Sequence, residues 1–184
     1  MTSYRDELDW AYHGEVYGEA MFAGMAEVTE DPTRAAELNV MALVERQTKE
    51  QLAPLCDREG IERDDATHEA RGRKLADRAA RPGWDWDRFL HSFEPLTDQA
   101  LLRYRSMRDV LAPKDDAATM RSLVVHEEVL QRYAQRALAG EERPSAPLLD
   151  ALEGEHRHTA EQLLRDAVAD EDAVADEEGS SSTP

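Results

Sequence analysis

Acidic side chains interrupt apolar stripes at four places along this sequence. At helical spacings of three, four and seven, Glu45 shares a face with Leu38 and Leu52, and Thr48 lies on the line from Met41 to Leu55. Glu127 falls on the stripe Met120, Leu123, Leu130 and Ala134, with His126 at its edge near Tyr133. His156 is flanked by Leu149, Leu152, Ala160 and Leu163, and Glu153 precedes it to make Glu-x-x-His. Near the N-terminus, Glu15 and Glu19 lie within one strip among Tyr12, Val16, Ala20 and Phe22. Burying a carboxylate costs several kcal/mol unless it is paired, hydrogen-bonded, protonated or coordinated. Four of them at one level need a common explanation, and a pair of divalent cations held by carboxylates and imidazole is the economical one.

The elements that must position these residues follow from the punctuation. A first helix runs from about Arg5 to Glu30 and stops at Asp31-Pro32-Thr33, where Thr33 is the expected N-cap of a second helix that ends near Arg58 at Glu59-Gly60. Residues 61–113 are more polar and interrupted, and read as a crossover with short helices of its own. Its aromatic group Trp84, Trp86, Phe89 and Phe93 either packs or forms a lid over one end of the core. A third helix follows Pro113 and ends at about Ala139, and a fourth begins at Ser145 and runs to about Val168. The expected domain is therefore 1–168, with an acidic, disordered tail at 169–184. The first hairpin turns near Asp31-Pro32, so at ~1.5 Å per residue Glu19 and Glu45 stand level, with Glu15 about one turn away. In the second hairpin Glu127 lies within a turn of Glu153 and His156.

Composition bounds the reading. The 184 residues suffice for one domain with a substantial core. Plentiful Ala and Leu and the lack of any sustained period-2 alternation exclude a substantial sheet and predict an all-α fold. A formal charge of −18 with no run of Lys or Arg argues against a nucleic-acid or membrane-surface partner. No apolar stretch approaches the ~20 residues of a membrane span, and the N-terminus lacks the apolar segment of a signal peptide, so the cytoplasm is the expected compartment. The lone Cys56 makes no intrachain disulfide and reads as a packing residue.

The segments Gly18-Glu19-Ala20-Met21-Phe22, Glu45-Arg46-Gln47-Thr48, His126-Glu127 and Glu153-Gly154-Glu155-His156 resemble the ferritin-like superfamily, its rubrerythrin-type and di-iron carboxylate branches in particular. The resemblance covers the four long helices and neither the crossover nor the tail. It implies a ferritin-like four-helix bundle with one long crossover, and it makes Glu19, Glu45, Glu127, Glu153 and His156 metal ligands, with Glu15 as the alternative to Glu19. The chain departs from the pattern at Thr48, where the family has the histidine of a second Glu-x-x-His. One metal is then short of an imidazole unless His126 supplies it from another helix, and mononuclear or metal-free bundles stay open.

The function this implies is that of a di-iron oxidase or oxygenase acting on a small organic molecule, with iron as cofactor and manganese as the alternative. Thr48 stands beside an open position for dioxygen or substrate, and an external electron donor is needed. The alternatives are a metal-free enzyme or ligand-binding protein that uses buried Glu and His as acid and base, and a structural helical interaction domain. A homodimer is the assembly to consider.

Overall fold

The computed structural model describes residues 3–81 and 83–180, the side chains of 94 and 170–180 excepted. Every regular element among the described residues is helical, so the expected all-α class holds. Helix α1 (Tyr4–Val28) opens on a capping box in which the Ser3 hydroxyl accepts from the Asp6 N–H and the Asp6 carboxylate accepts from the Ser3 N–H. Helix α2 (Pro32–Glu59) is capped not by Thr33 but by Asp31, which accepts from the Arg34 N–H at 2.9 Å. Pro32 explains the difference: with φ preset and no N–H to satisfy, it serves as the first helical residue and moves the cap to its predecessor. Gly60, at φ +64°, ends α2 as expected.

Helix α3 (Asp65–Ala76) lies very close to α1, and small residues permit the approach. A Cβ on Gly72 would stand 2.4 Å from the Tyr17 carbonyl oxygen, and one on Gly24 would stand 2.8 Å from the Ala76 Cβ. Alanine at an ordinary helix position stabilises by ~1 kcal/mol relative to glycine. At position 72 the sign reverses, because the obstacle is backbone: Gly72→Ala is expected to destabilise the fold by about 1–3 kcal/mol, read as a lower urea midpoint with an unchanged slope.

Helix α4 (Trp86–Ser106) continues through a π-helical turn at Met107–Leu111 and a 3-10 turn at Lys114–Asp116 into α5 (Ala117–Leu138). The expected fourth helix is broken in two. A short α6 (Ala146–Ala151) ends at an extended Leu152, and α7 (Gly154–Ser180) begins at Gly154 with φ +51°. One residue in the left-handed region resets the helical phase, so a face counted from Leu149 and Leu152 does not carry across to His156. Helix α7 also takes in positions 169–180 of the expected tail, while 181–184 lie outside the described residues.

Helix α1 packs on α2 and α3, α4 packs on α5, and α2 touches both α5 and α7. The crossover segment thus supplies a main partner for α5. Two apolar clusters result. One gathers Phe22, Met25, Leu38, Met41, Leu90, Leu130 and Tyr133, and the other Leu8, Tyr12, Leu52, Cys56, Tyr104, Met107 and Leu123. Cys56 is fully buried in the second, and burial pushes its thiol up to about 12, which suits packing rather than reactivity. Long-range polar ties close both ends: Asp116 accepts from Arg58 and from the Tyr4 hydroxyl, and Glu37 accepts from the Tyr133 hydroxyl at 2.7 Å. No helix among the described residues is long and apolar enough to cross a membrane.

Candidate functional site

Between the two apolar clusters the helices carry a polar waist. Glu15 comes from α1, Glu45 and Thr48 from α2, Tyr104 from α4, and His126 and Glu127 from α5. Each acid sits where an apolar stripe of its helix passes from one cluster to the other, so neighbours on either side exclude water from it. Glu15 is 1% exposed, Glu45 6% and His126 3%.

The His126 Nε2 stands 3.4 Å from Glu15 Oε2 and 3.5 Å from Glu45 Oε2. The Tyr104 hydroxyl donates to Glu15 Oε1 at 3.0 Å, whereas Glu15 Oε2 is buried with no hydrogen-bond partner. On the far side of the imidazole, Nδ1 lies 2.9 Å from the Thr48 hydroxyl, which itself donates to the Val44 carbonyl at 3.0 Å. A hydroxyl has one proton. Once it is given to Val44, Thr48 can only accept from His126, so Nδ1 carries the ring proton and the Nε2 lone pair faces the two carboxylates. This is the arrangement by which an outer hydrogen bond orients a ligating histidine. Thr48→Val keeps the shape and removes the acceptor. It is expected to shift the neutral ring away from the Nδ1–H form, as read by ¹⁵N chemical shifts of His126, and to weaken cation binding by about 10-fold or more.

Burial dominates the acid–base behaviour of the waist. It raises the carboxyls of Glu15 and Glu45 well above their ordinary value; for Glu15 the His126 charge opposes the rise and the Glu45 charge adds to it. Glu127, at the edge of the group, is pushed up to about 7 by burial, and Tyr104 is raised chiefly by burial and then by the Glu15 charge. Two buried carboxylates facing one imidazole are costly to hold as two negative charges without a cation.

The room for the Glu45 carboxylate comes from a glycine. A Cβ on Gly18 would lie 2.5 Å from Glu45 Cδ and 2.6 Å from its Oε2, so the carboxylate rests directly on the α1 backbone. A cavity of about 560 Å³ opens on this waist. Glu15, Glu45 and Glu127 lie at its polar end, and Met21, Phe22, Phe89, Phe93 and Tyr104 are among its mostly apolar walls. The crossover aromatics form one side through a chain of ring contacts, Trp84–Phe89, Trp86–Phe89, Phe89–Phe93 and Phe93–Phe22, each with centroids 5.0–5.8 Å apart. A separate and more polar cleft, lined by Gln47, Thr48, Gln51, Arg121 and His126, reaches the imidazole.

The site brings together some of the expected residues and not others. Glu45, Thr48, His126 and Glu127 converge, and Glu15 joins them in place of Glu19. Glu19 stays outside: it accepts from Arg46 at 2.7 Å and pairs with Lys49, and these cations hold its carboxyl below the ordinary range against the opposing effect of burial. Glu153 is exposed, its backbone N–H donating to the Gln47 side chain, and His156 pairs with Glu50 at 2.9 Å away from the waist. Both departures follow from the break between α6 and α7, where Leu152 is extended and Gly154 left-handed. Tyr104 and Gly18 belong to the site and went unread. Tyr104 is contributed by the segment taken as a crossover, while Gly18 follows Glu15 by three positions on the same face.

The donors present suit a cation. Glu15, Glu45 and His126 each offer one ligand atom, all within 4.8 Å of one another, and the unpartnered Glu15 Oε2 is one of those on offer. Two carboxylate oxygens and one imidazole nitrogen match the preferences of Fe²⁺, Mn²⁺ or Zn²⁺. Glu127 is the remaining acid at hand; Glu153 lines the polar cleft that reaches His126, and neither it nor His156 is among the three grouped donors. Comparison with family models, curated proteins and solved structures yields no match.

Proposed function

We propose that the protein is a metal-dependent oxidase or oxygenase of the ferritin-like type, acting on a small, largely apolar organic molecule. The observation that carries this reading is the convergence of Glu15, Glu45 and His126, buried and partly unpartnered, at the polar end of a 560 Å³ apolar cavity. Such a volume is within the ~300–1,000 Å³ of small-molecule sites. The ferritin-like arrangement is supported by four helices, α1, α2, α4 and α5, supplying the waist. The donor set favours one cation over two, since Glu127 alone would be left for a second.

A redox-active cation held there would supply dioxygen activation. The chain's own contribution is legible. Glu15 and Glu45 would be the anionic ligands, and any proton that burial keeps on them would have to leave for a cation to bind. His126 presents the Nε2 lone pair because Thr48 holds its Nδ1 proton. The Glu127 carboxyl, near neutrality in its titration, can hold or release a proton at the cavity wall. The apolar walls exclude water, and electrons beyond those a substrate supplies must come from a separate donor.

The test is anaerobic loading with Fe²⁺ followed by exposure to dioxygen. The reading expects stoichiometric iron and a ferric absorption that develops on exposure, both lost in Glu45→Ala and His126→Ala. Absence of iron uptake would refute it. One observation favours a second reading: the His126 Nε2 faces both Glu15 Oε2 and Glu45 Oε2, at 3.4 and 3.5 Å, a grouping that a metal-free acid–base site would also use. Substrate turnover with the chelator-treated protein would select it.

A further inference from the structure

The outer end of the cavity differs in charge from its floor. Arg78, from the turn after α3, and Arg88, in the first turns of α4, both line it, and both side chains are exposed. Neither has an ion-pair partner among the described residues, whereas Arg34, Arg46, Arg58, Arg63, Arg73, Arg103 and Arg105 each engage a carboxylate. In a chain of net charge −18, the segment 71–88 is locally inverted, with six Arg or Lys against three Asp. Of these acids, Asp85 also lines the cavity, but its carboxylate accepts from the Arg88 N–H at 2.7 Å as the cap of α4. The Arg78 charge reaches into the cavity far enough to oppose the burial-driven rise of the Tyr17 hydroxyl. Met21, Phe22, Phe89 and Phe93 are among the other residues that line it.

We infer that the cavity takes an amphipathic anion, an unbranched or aryl apolar body carrying one carboxylate-like head, with the head at Arg78 and Arg88 and the apolar end at Glu15, Glu45 and His126. The inference rests on reading this cavity as the substrate site. Three features fix the orientation. Guanidinium groups give planar, paired hydrogen bonds to a carboxylate and lose less on desolvation than an ammonium would. The floor gathers the carboxyls of Glu15, Glu45 and Glu127 and, in the cation-free protein, offers an anionic head no Lys or Arg. The remaining lining is mostly apolar and aromatic, where a charged head would be left without a counter-charge. A molecule entering head-first therefore meets a penalty at each stage, and one entering tail-first does not.

The probes are decanoate and decan-1-ol, which share a body and differ in charge, titrated into the full chain and followed by the fluorescence of the cavity-lining Trp10 and Trp84. Decanoate is expected to bind about tenfold more tightly than the alcohol, and the Arg78→Gln/Arg88→Gln double variant is expected to lose that preference while keeping its affinity for the alcohol. Retained alcohol binding also reports that the variant is folded. Equal affinity of the two probes, a preference that survives in the double variant, or no binding of either would overturn the inference. Co²⁺ uptake measured on the same samples separates this outcome from the fate of the metal reading. Uptake without anion preference leaves the metal and sinks the inference, while anion preference without uptake does the reverse.

Discussion

Glu15→Gln is expected to make the cation-free protein more stable at pH 8 and, in the same molecule, to weaken cation binding by an order of magnitude or more. The stability gain follows from the sign of the shift. Burial raises the Glu15 carboxyl above its ordinary value of 4.5, so above that pH the unfolded chain has released a proton that the folded protein still holds. Stability then falls as pH rises from the ordinary range through the raised one, and above it the fold must bury an uncompensated charge. Glutamine has no charge to bury, and its amide can donate to Glu45 or to the His126 Nε2 lone pair. A gain of about 1–3 kcal/mol at pH 8 is in line with relieving one poorly satisfied buried acid. Thermal unfolding in chelator from pH 5 to pH 8 measures it: the wild-type protein should lose stability with rising pH, and the variant should lose less. A slope should persist in the variant, because Glu127 contributes over its own window, from 4.5 to about 7. A variant less stable than wild type at pH 8 would mean that Glu15 is ionised and well compensated without a cation.

Gly18→Ala should cost the protein stability and its cation site together. Its Cβ would fall 2.5 Å from Glu45 Cδ and within 2.8 Å of both carboxylate oxygens. The atom struck is the end of a side chain, but that end is confined between α1, α2 and His126. Relief therefore requires Glu45 to leave its position or α1 to part from α2. Helix propensity favours alanine by ~1 kcal/mol, and overpacking opposes it by about 1–3 kcal/mol. A net loss of stability together with loss of cation binding is expected, measured by urea unfolding and by metal titration. A more stable protein with unchanged binding would show that the carboxylate is not held against the helix.

What could be read from the sequence, and what could not, has a geometric cause. Glu45, Thr48, His126 and Glu127 were legible because α2 and α5 are uninterrupted through those positions, so counting by three, four and seven tracks one face. Counting from the Asp31-Pro32 turn placed Glu19 level with Glu45, and its bond to Arg46 agrees with that level. The face was misjudged: Glu15 and Glu19 share a strip broad enough to reach both the interior and the Arg46–Lys49 edge of α2. Gly18, which opens the space for Glu45, resolves the choice toward Glu15. The Glu153–His156 spacing is one that an acidic chain makes common, and the break at Leu152–Gly154 means that counting along one helix face does not connect the two residues. Tyr104 was invisible because nothing local says that a polar, interrupted segment will pack its buried face against α5. The waist acids and the imidazole thus come from the long helices, and Tyr104 and one aromatic wall of the cavity come from the segment read as a connection.

The central claim, a cation held by Glu15, Glu45 and His126, is tested most directly by anaerobic titration of the full chain with Co²⁺, whose visible absorption reports both stoichiometry and coordination. The account predicts stoichiometric binding that is abolished in Glu45→Ala and His126→Ala and unchanged in Glu19→Ala, Glu153→Ala and His156→Ala. No bound cobalt, or binding that survives in Glu45→Ala and His126→Ala, would contradict it.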